Sequence, residues 1–294
     1  MTGDTGITVC IVCRNEADKL PACLESVAWA DEVIVMDLES ADASAAVAAA
    51  HGARVVSGEP TPVVEPARNL VASHASHDWI LVMDPDERVT PGLAAELLRI
   101  AKEDVDAVVI PFMNYDLGYA PKSPLHRYNP KPRMYRRSRV RWPERPNALP
   151  DIPEGRLHRL PARDELVMVH DRNRSIAEAI ERVLRYGPAE AQAMVDAGKV
   201  FSAREMVSVL GRAFRKQFFY AGALEEGMPG LVRGGILIAH KFYVWAAFWQ
   251  LSGAQRTPED DAYLRRLAHG VDAVGRPLSF AGRIARRARR AIRR

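Results

Sequence analysis

Between Ile7 and Ile110 short apolar runs alternate with stretches of helical spacing, and this alternation restricts the chain to a wound α/β sheet. The runs are Ile7–Cys13, Glu32–Met36 ending at Asp37, Arg54–Ser57, Trp79–Met83 and Ala107–Ile110. Strands this apolar need cover on both faces, which interleaved helices provide. The spacing predicts helices over Glu16–Ala28, with Leu20, Leu24 and Val27 on one face, and over Ala43–His51, capped by Asp42 and closed by Gly52. Two more are expected over Val64–Ser73 and from Pro91 to about Lys102, the second with Thr90 as its cap and proline at its first position.

From Pro111 to Pro161 the chain turns proline- and arginine-rich, with short extended pieces at Arg133–Arg136 and Val140–Trp142, a pattern of hairpins and binding loops. Helices follow from Ser175 to about Asp196, from Ala203 to about Leu224, over Pro229–Leu251 and over Pro258–His269. The expected fold class is therefore α/β, a Rossmann-like domain with a mainly helical C-terminal extension. Three regions are expected: 1–165, 166–275 and a tail over 276–294. Leu231–Leu251 is 21 residues long but contains Arg233, His240, Lys241 and Gln250, so it reads as a core or monotopic helix and not a spanning one.

Charge sharpens the picture. The chain of 294 residues has a net charge of +4, but the last segment from Arg276 holds eight arginines and no acid, which leaves residues 1–275 at −4. A slightly acidic body with a cationic end argues against a nucleic-acid partner. With about 100° per residue, Phe280, Ile284, Ala288, Ala291 and Ile292 fall on one side of the tail and its arginines on the other, a helix suited to an anionic membrane surface. Phe242, Tyr243, Trp245, Phe248 and Trp249 are either a second membrane contact or a packed core face. The start of the chain lacks the pattern of a secretory signal, and the three cysteines, Cys10, Cys13 and Cys23, fit a reducing compartment. The expected location is cytoplasmic, peripheral at the inner face of the cell membrane. On a strand, Cys10 and Cys13 point to opposite faces, so they read as core thiols and not as a metal or redox pair.

The chemistry concentrates where apolar strands end. Trp79–Met83 runs straight into Asp84-Pro85-Asp86-Glu87, and in a wound sheet ligands bind outside that carboxyl edge. Hard oxygen ligands at Asp84 and Asp86 suit Mg²⁺ or Mn²⁺ held against phosphates, while a solvated acidic turn before a helix is the other reading of the same residues. Asp37 ends the second strand at the same edge, followed by Ser40, Asp42 and Ser44, and either binds a base or ribose or caps a turn.

Taken together, ITVCIVCRNEADKLPACLESV, DEVIVMDLESADAS and PARNLVASHASHDWILVMDPDERVTP resemble the family 2 inverting glycosyltransferases in order and spacing. Within that family the chain looks most like the branch typified by the lipopolysaccharide-core β-1,4-glucosyltransferases, over residues 7–100. The resemblance implies a GT-A domain that binds a nucleotide-sugar donor, most often a UDP-sugar, and a glycan or glycolipid acceptor. It implies nucleotide contacts at Arg14, Asn15 and Glu16, a base-binding role for Asp37, and a donor-pocket pair at Arg68 and Asn69. Asp84 and Asp86 would form the D-x-D triplet, with Asp86 coordinating the divalent cation directly and Asp84 placed toward ribose and metal. Two departures stand out: Asp37-Leu38-Glu39-Ser40 lacks the family's glycine-containing turn, and Pro85 replaces the branch's usual alanine.

Inverting transfer needs a base for the acceptor hydroxyl, and Glu144, after Val140-Arg141-Trp142-Pro143, matches the acceptor-side glutamate of this branch. A surface ion pair with Arg141 or Arg145 is the alternative for Glu144, and Asp151 and Glu154 lie in the same segment. Trp142 reads as a sugar platform or a core residue. Arg133, Arg136 and Arg137 read as diphosphate contacts or a solvated hairpin face. His158 and His170 lack metal-ligand spacing and read as structural residues or sugar contacts. Two other classes stay open. One is a catalytically silent sugar-nucleotide-binding or membrane-adaptor protein. The other is a sugar-phosphate nucleotidyltransferase, which would carry a glycine-rich loop where this chain reads Cys13-Arg14-Asn15-Glu16.

Overall fold

β1 (Ile7–Cys13) is buried at all seven positions. Its side chains alternate between two cores: Ile7, Val9, Ile11 and Cys13 enter one cluster, Cys10 and Val12 the other. That two-sided burial is what an apolar run without polar alternation demands. The computed structural model describes residues 5–61, 64–123, 127–143, 150, 152–153 and 156–269. The chain divides into two units, residues 1–175 and 176–294.

In the first unit β2 (Glu32–Asp37), β3 (Arg54–Ser57), β4 (Trp79–Met83), β6 (Ala107–Ile110), β8 (Lys131–Arg136) and β9 (Leu157–Arg159) join β1 in one sheet of order β3-β2-β1-β4-β8-β6-β9. β1, β2, β3 and β4 run parallel, and β8 is antiparallel to both β4 and β6. Helices α1 (Leu20–Glu25), α2 (Ser44–Ala50) and α4 (Pro91–Ile100) supply Leu20, Cys23, Ala48, Leu93 and Leu97 to the first core. Helix α3 (Glu65–Ser73) covers the other face with Ala67, Val71 and Ala72. All three cysteines are free and buried, as expected for core thiols.

A second, three-stranded sheet was not legible in the sequence. β5 (Glu87–Val89), β10 (Met168–Asn173) and β7 (Phe112–Asp116) pair in the order β5-β10-β7, with β10 antiparallel to β5 and parallel to β7. β10 belongs to the first unit, which therefore runs past residue 165 to Ser175. Two local expectations change. The helix expected from Glu16 is confined to α1, because the amides of Asn15, Glu16 and Ala17 donate to Ser40 Oγ, Ser44 Oγ and Asp42 Oδ2. Val140–Trp142 is not a strand of either sheet.

The second unit is helical: α5 (Ile176–Asp196), α6 (Ala203–Arg215), α7 (Met228–Leu251) and a helix over 258–269. α5 meets α7 closely at Gly187, where a Cβ would lie 2.3 Å from the Tyr243 ring. Trp245 and Phe248 of α7 pack with Ala191, Phe201, Met206 and Val209, so these two aromatics are core residues, while Phe242 and Trp249 are exposed. α6 does not continue to Leu224. A single π-turn over Lys216–Tyr220 follows it, the Ala221 amide donates to the Lys216 carbonyl at 2.8 Å, and Gly222 at φ +67° turns the chain. No helix among the described residues is long and apolar enough to cross a membrane.

Phe248 is fully buried in this core, so Phe248→Ala is expected to destabilise the second unit by about 3–5 kcal/mol. Urea titration followed by circular dichroism checks this. A change below about 1 kcal/mol would show that the α5–α7 packing is not its main support.

Candidate functional site

β1 lies between β2 and β4, so the chain winds outward from it in both directions, and the crevice of such a sheet opens beyond the carboxyl ends of the two strands flanking the reversal. The segments leaving β1, β2 and β4 meet there. Asn15, at φ +56°, accepts the Ala41 amide on Oδ1 at 2.7 Å and donates its own amide to Ser40 Oγ. Asp37 accepts the Ser40 amide on Oδ2 at 3.1 Å and the Cys13 thiol on Oδ1 at 3.6 Å. Proximity to Asp37 adds to burial in pushing the Cys13 thiol up to about 12, which keeps it protonated. Arg14 is exposed at this edge. Glu16 is bonded to Lys19; burial pushes its carboxyl up, Lys19 opposes that, and the Asp86 charge adds to it, which places the Arg14–Glu16 segment within the field of the acidic turn.

Asp84, Pro85, Asp86 and Glu87 form a tight turn, with the Glu87 amide donating to the Asp84 carbonyl at 3.0 Å and Glu87 Oε2 accepting the Asp84 amide at 2.8 Å. Glu87 has no exposed surface, and its other oxygen accepts from Arg133 Nη2 at 2.9 Å. Burial pushes the Glu87 carboxyl up against the opposing pull of Arg133. Asp84 is the reverse case. Burial would raise it, but Arg68 Nη2 at 2.9 and 3.1 Å and Arg133 Nη2 at 3.2 Å hold it well below the usual carboxylate range. The Arg133 guanidinium also lies 5.1 Å from the centre of the Phe112 ring, and Lys131 lies 5.0 Å from it. Burial and then Arg133 lower the Lys131 amine.

Beside this turn the register of the second sheet sets His170 opposite Glu87 on one side and Asn114 on the other. His170 Nδ1 lies 2.7 Å from Asn114 Oδ1, and Nε2 lies 3.4 Å from Asp86 Oδ2. With Nδ1–H donated to Asn114 Oδ1, Nε2 is the ring nitrogen that faces the Asp86 carboxylate. A carboxylate oxygen and an imidazole nitrogen are a donor set suited to Mn²⁺ or a similar divalent ion. Among the described residues no group of three or more His, Cys, Asp or Glu side chains is arranged to hold a metal, and Asp86 with His170 brings two such donors together.

The structure brings Arg14–Glu16, Asp37, Arg68, Asp84 and Asp86 to one edge. Asn69 is engaged differently: its amide donates to the Trp142 carbonyl at 2.9 Å and accepts the Trp142 amide at 3.1 Å. Trp142 is a core residue, 3% exposed, beside Tyr135, with the Arg68 guanidinium 5.1 Å from its ring. It is not an open sugar platform. Arg136 stacks on Trp79 and donates to the Val105 carbonyl, and Arg137 donates to the Ala72 and Ser73 carbonyls, so neither faces a diphosphate. His158 pairs with Glu103. Glu144, Asp151, Glu154 and the tail over 276–294 lie outside the described residues. Sequence reasoning read His170 only as a structural residue or sugar contact, and it missed Asn114 and Lys131.

Residues 8–152 match the family model described as glycosyl transferase family 2, a span from β1 through β8 that includes the carboxylate turn. A TPR repeat-containing protein of Synechococcus elongatus is 39% identical over 84 residues, 28% of this chain and 21% of that protein. An uncharacterized glycosyltransferase of Mycobacterium tuberculosis is 34% identical over 108 residues, 37% of this chain and 49% of the relative. The chain thus spans about half or less of the length of these two. The lipopolysaccharide core biosynthesis glycosyltransferase LpsC of Rhizobium meliloti is 25% identical over 266 residues, 86% of this chain and 95% of LpsC. Among solved structures, residues 1–349 of S. aureus TarS are similar at a TM-score of 0.45 and 15% identity, over 83% of this chain and 91% of that one.

Removing Arg133 would leave the Glu87 charge buried without its cation, at an expected cost of about 3–5 kcal/mol near pH 7 for Arg133→Met. Burial already pushes Glu87 up to about 7 in the intact protein, and without the arginine it rises further, so the two proteins differ in bound protons only above about pH 7. The deficit should therefore shrink as the pH falls from about 9 to 7 and level off below 7. Denaturant midpoints measured from about pH 9 down to about 5 decide it, and a deficit that stays constant from about 9 to 7 or grows on acidification would count against an ion pair between Glu87 and Arg133.

Proposed function

The chain belongs to glycosyl transferase family 2 through residues 8–152, and from that premise we propose that it moves a sugar from a nucleoside-diphosphate donor to a glycan hydroxyl with inversion at the anomeric carbon. The observation that carries this reading is the pairing of Asp86 Oδ2 with His170 Nε2 at the carboxyl edge of the sheet, next to an Asp84 kept ionised by two arginines. UDP is the donor nucleotide to test first. Asp37 and the Arg14–Glu16 segment line the edge where the base and ribose of such a donor would lie, and Arg68 fixes Asp84 toward the same place.

Asp86 and His170 are the residues that would hold Mn²⁺ or Mg²⁺, and a cation bound there supplies positive charge for the departing diphosphate. Asn114 fixes the His170 tautomer so that Nε2 is the free nitrogen. Glu144 is the proposed base that takes the proton from the acceptor hydroxyl. The likeness to LpsC over most of both chains supports a lipid-linked or cell-envelope glycan as acceptor, handled at the inner face of the membrane, with the basic tail drawn to anionic lipid.

Thermal shift with UDP is expected to rise when Mn²⁺ is added, because a ligand that binds only the folded state stabilises it. Asp86→Ala and His170→Ala should abolish the metal-dependent part, and Asn114→Leu should weaken Mn²⁺ binding about 10- to 100-fold through the lost tautomer. A metal-dependent shift that survives both alanine variants would remove Asp86 and His170 from the metal site. Glu144→Gln should keep the shift and lower turnover by about 10²-fold or more. Full turnover in that variant would place the base elsewhere.

A further inference from the structure

The second unit exposes a group of large apolar side chains that no packing within the unit explains. Phe214 ends α6, Phe219 and Tyr220 stand on the π-turn, and Leu224, Met228 and Leu231 follow across the turn into α7. Phe219 is 66%, Tyr220 74% and Met228 66% exposed. The backbone beneath them is fixed. Gly234 lets α7 approach the buried Phe218 ring, and a Cβ on Gly230 would lie 2.0 Å from the Ala223 carbonyl. Phe218 packs 4.7 Å from Phe214, which ties the end of α6 to the same place. One turn therefore presents aromatic and aliphatic side chains on a rigid base.

The exposed charge around this turn is mainly positive. From Met206 to Leu224 the sequence holds Arg212, Arg215 and Lys216 and no acid, and all three cations are exposed. Just beyond, Glu225 is an exposed acid, while the Glu226 carboxylate is bonded to Arg233. Exposed aromatics on a fixed turn, preceded within two helical turns by three exposed cations, match the layered chemistry of a bilayer surface, with acyl chains below and anionic headgroups above.

We propose that the turn joining α6 and α7 is a membrane-contact surface, in which Phe219, Tyr220, Leu224 and Met228 enter the headgroup region of a bilayer containing anionic phospholipid while Arg212, Arg215 and Lys216 bind its headgroups. The idea rests on the reading of a membrane-borne acceptor for its purpose, though its evidence is independent of the donor site. It places a second contact in addition to the basic tail.

The native cysteines are all buried, so a single introduced cysteine can carry an environment-sensitive fluorophore. Tyr220→Cys and Val200→Cys would be labelled in the full chain, Val200 being 84% exposed and at the far end of α6, about 20 Å away by helical rise. With vesicles of phosphatidylcholine and phosphatidylglycerol, the label at 220 should shift to shorter wavelength and the label at 200 should not. Vesicles of phosphatidylcholine alone should give a weaker response. Phe219→Ser combined with Leu224→Ser should reduce partitioning about tenfold. An unshifted label at 220 would overturn the proposal whether or not the protein sediments with vesicles. So would a shift that needs no vesicles and grows with protein concentration, which would identify a second copy as the occupant. UDP-dependent thermal shift, run on the same labelled samples, reads the donor site separately, so failure of the surface and failure of the glycosyltransferase reading give different results.

Discussion

Glu87 carries a carboxyl group into a place that water does not reach, and the rest of the site is arranged around keeping it there. Its two oxygens are spent on the Asp84 amide and the Arg133 guanidinium, which holds the backbone of the turn and recruits a cation from a strand distant in sequence. Arg133 in turn reaches Asp84, so one buried arginine favours the charged form of both carboxyl groups: at Asp84, with Arg68, it overcomes burial, and at Glu87 burial prevails. The consequence for Asp86 is indirect but decisive. With Asp84 and Glu87 both committed inward, Asp86 is the member of the triplet whose carboxylate is left to face His170.

Much of this edge was legible in the sequence because it is local. An apolar strand that stops at a carboxylate identifies itself, and β1, β3, β4 and β6 end where the apolar runs end. Asp37, Asp84 and Asp86 needed only that rule together with the location of ligand sites in wound sheets. His170 is different in kind. It reaches the site through the register of β10 against β5 and β7, a pairing of three short strands far apart in the chain, and no spacing rule operates over that distance. The same limit hid the purpose of Arg133. In sequence it belongs to a run of arginines, whereas in the fold strand alternation turns it inward while Arg136 and Arg137 serve Trp79 and two helix-end carbonyls.

Arg68 and Asn69, which the resemblance puts beside a donor pocket, are neighbours on α3 with different partners. Asn69, however, uses its amide on the Trp142 backbone, and the indole fills the core beneath Arg68. The bidentate bond ties the backbone at Trp142 to α3, and the ring backs the guanidinium that holds Asp84.

The turn after β2 makes a related point about the glycine that this chain lacks. Glu39 adopts φ +54°, a left-handed conformation that an ordinary side chain enters at a cost and a glycine enters freely. The conformation persists because its surroundings determine it from several directions: the Leu38 amide donates to the Cys13 carbonyl, the Ser40 amide to Asp37, and the Ala41 amide to Asn15. Leu38 is folded inward, 6% exposed and in the same core as Met36, while the Glu39 side chain is directed to solvent. The backbone path of a glycine turn is therefore preserved without glycine. Substitution in this turn changes the side chains beside Asp37 more than it changes the position of Asp37 itself, because the hydrogen bonds that fix the turn are made by the backbone and by Asp37 and Asn15.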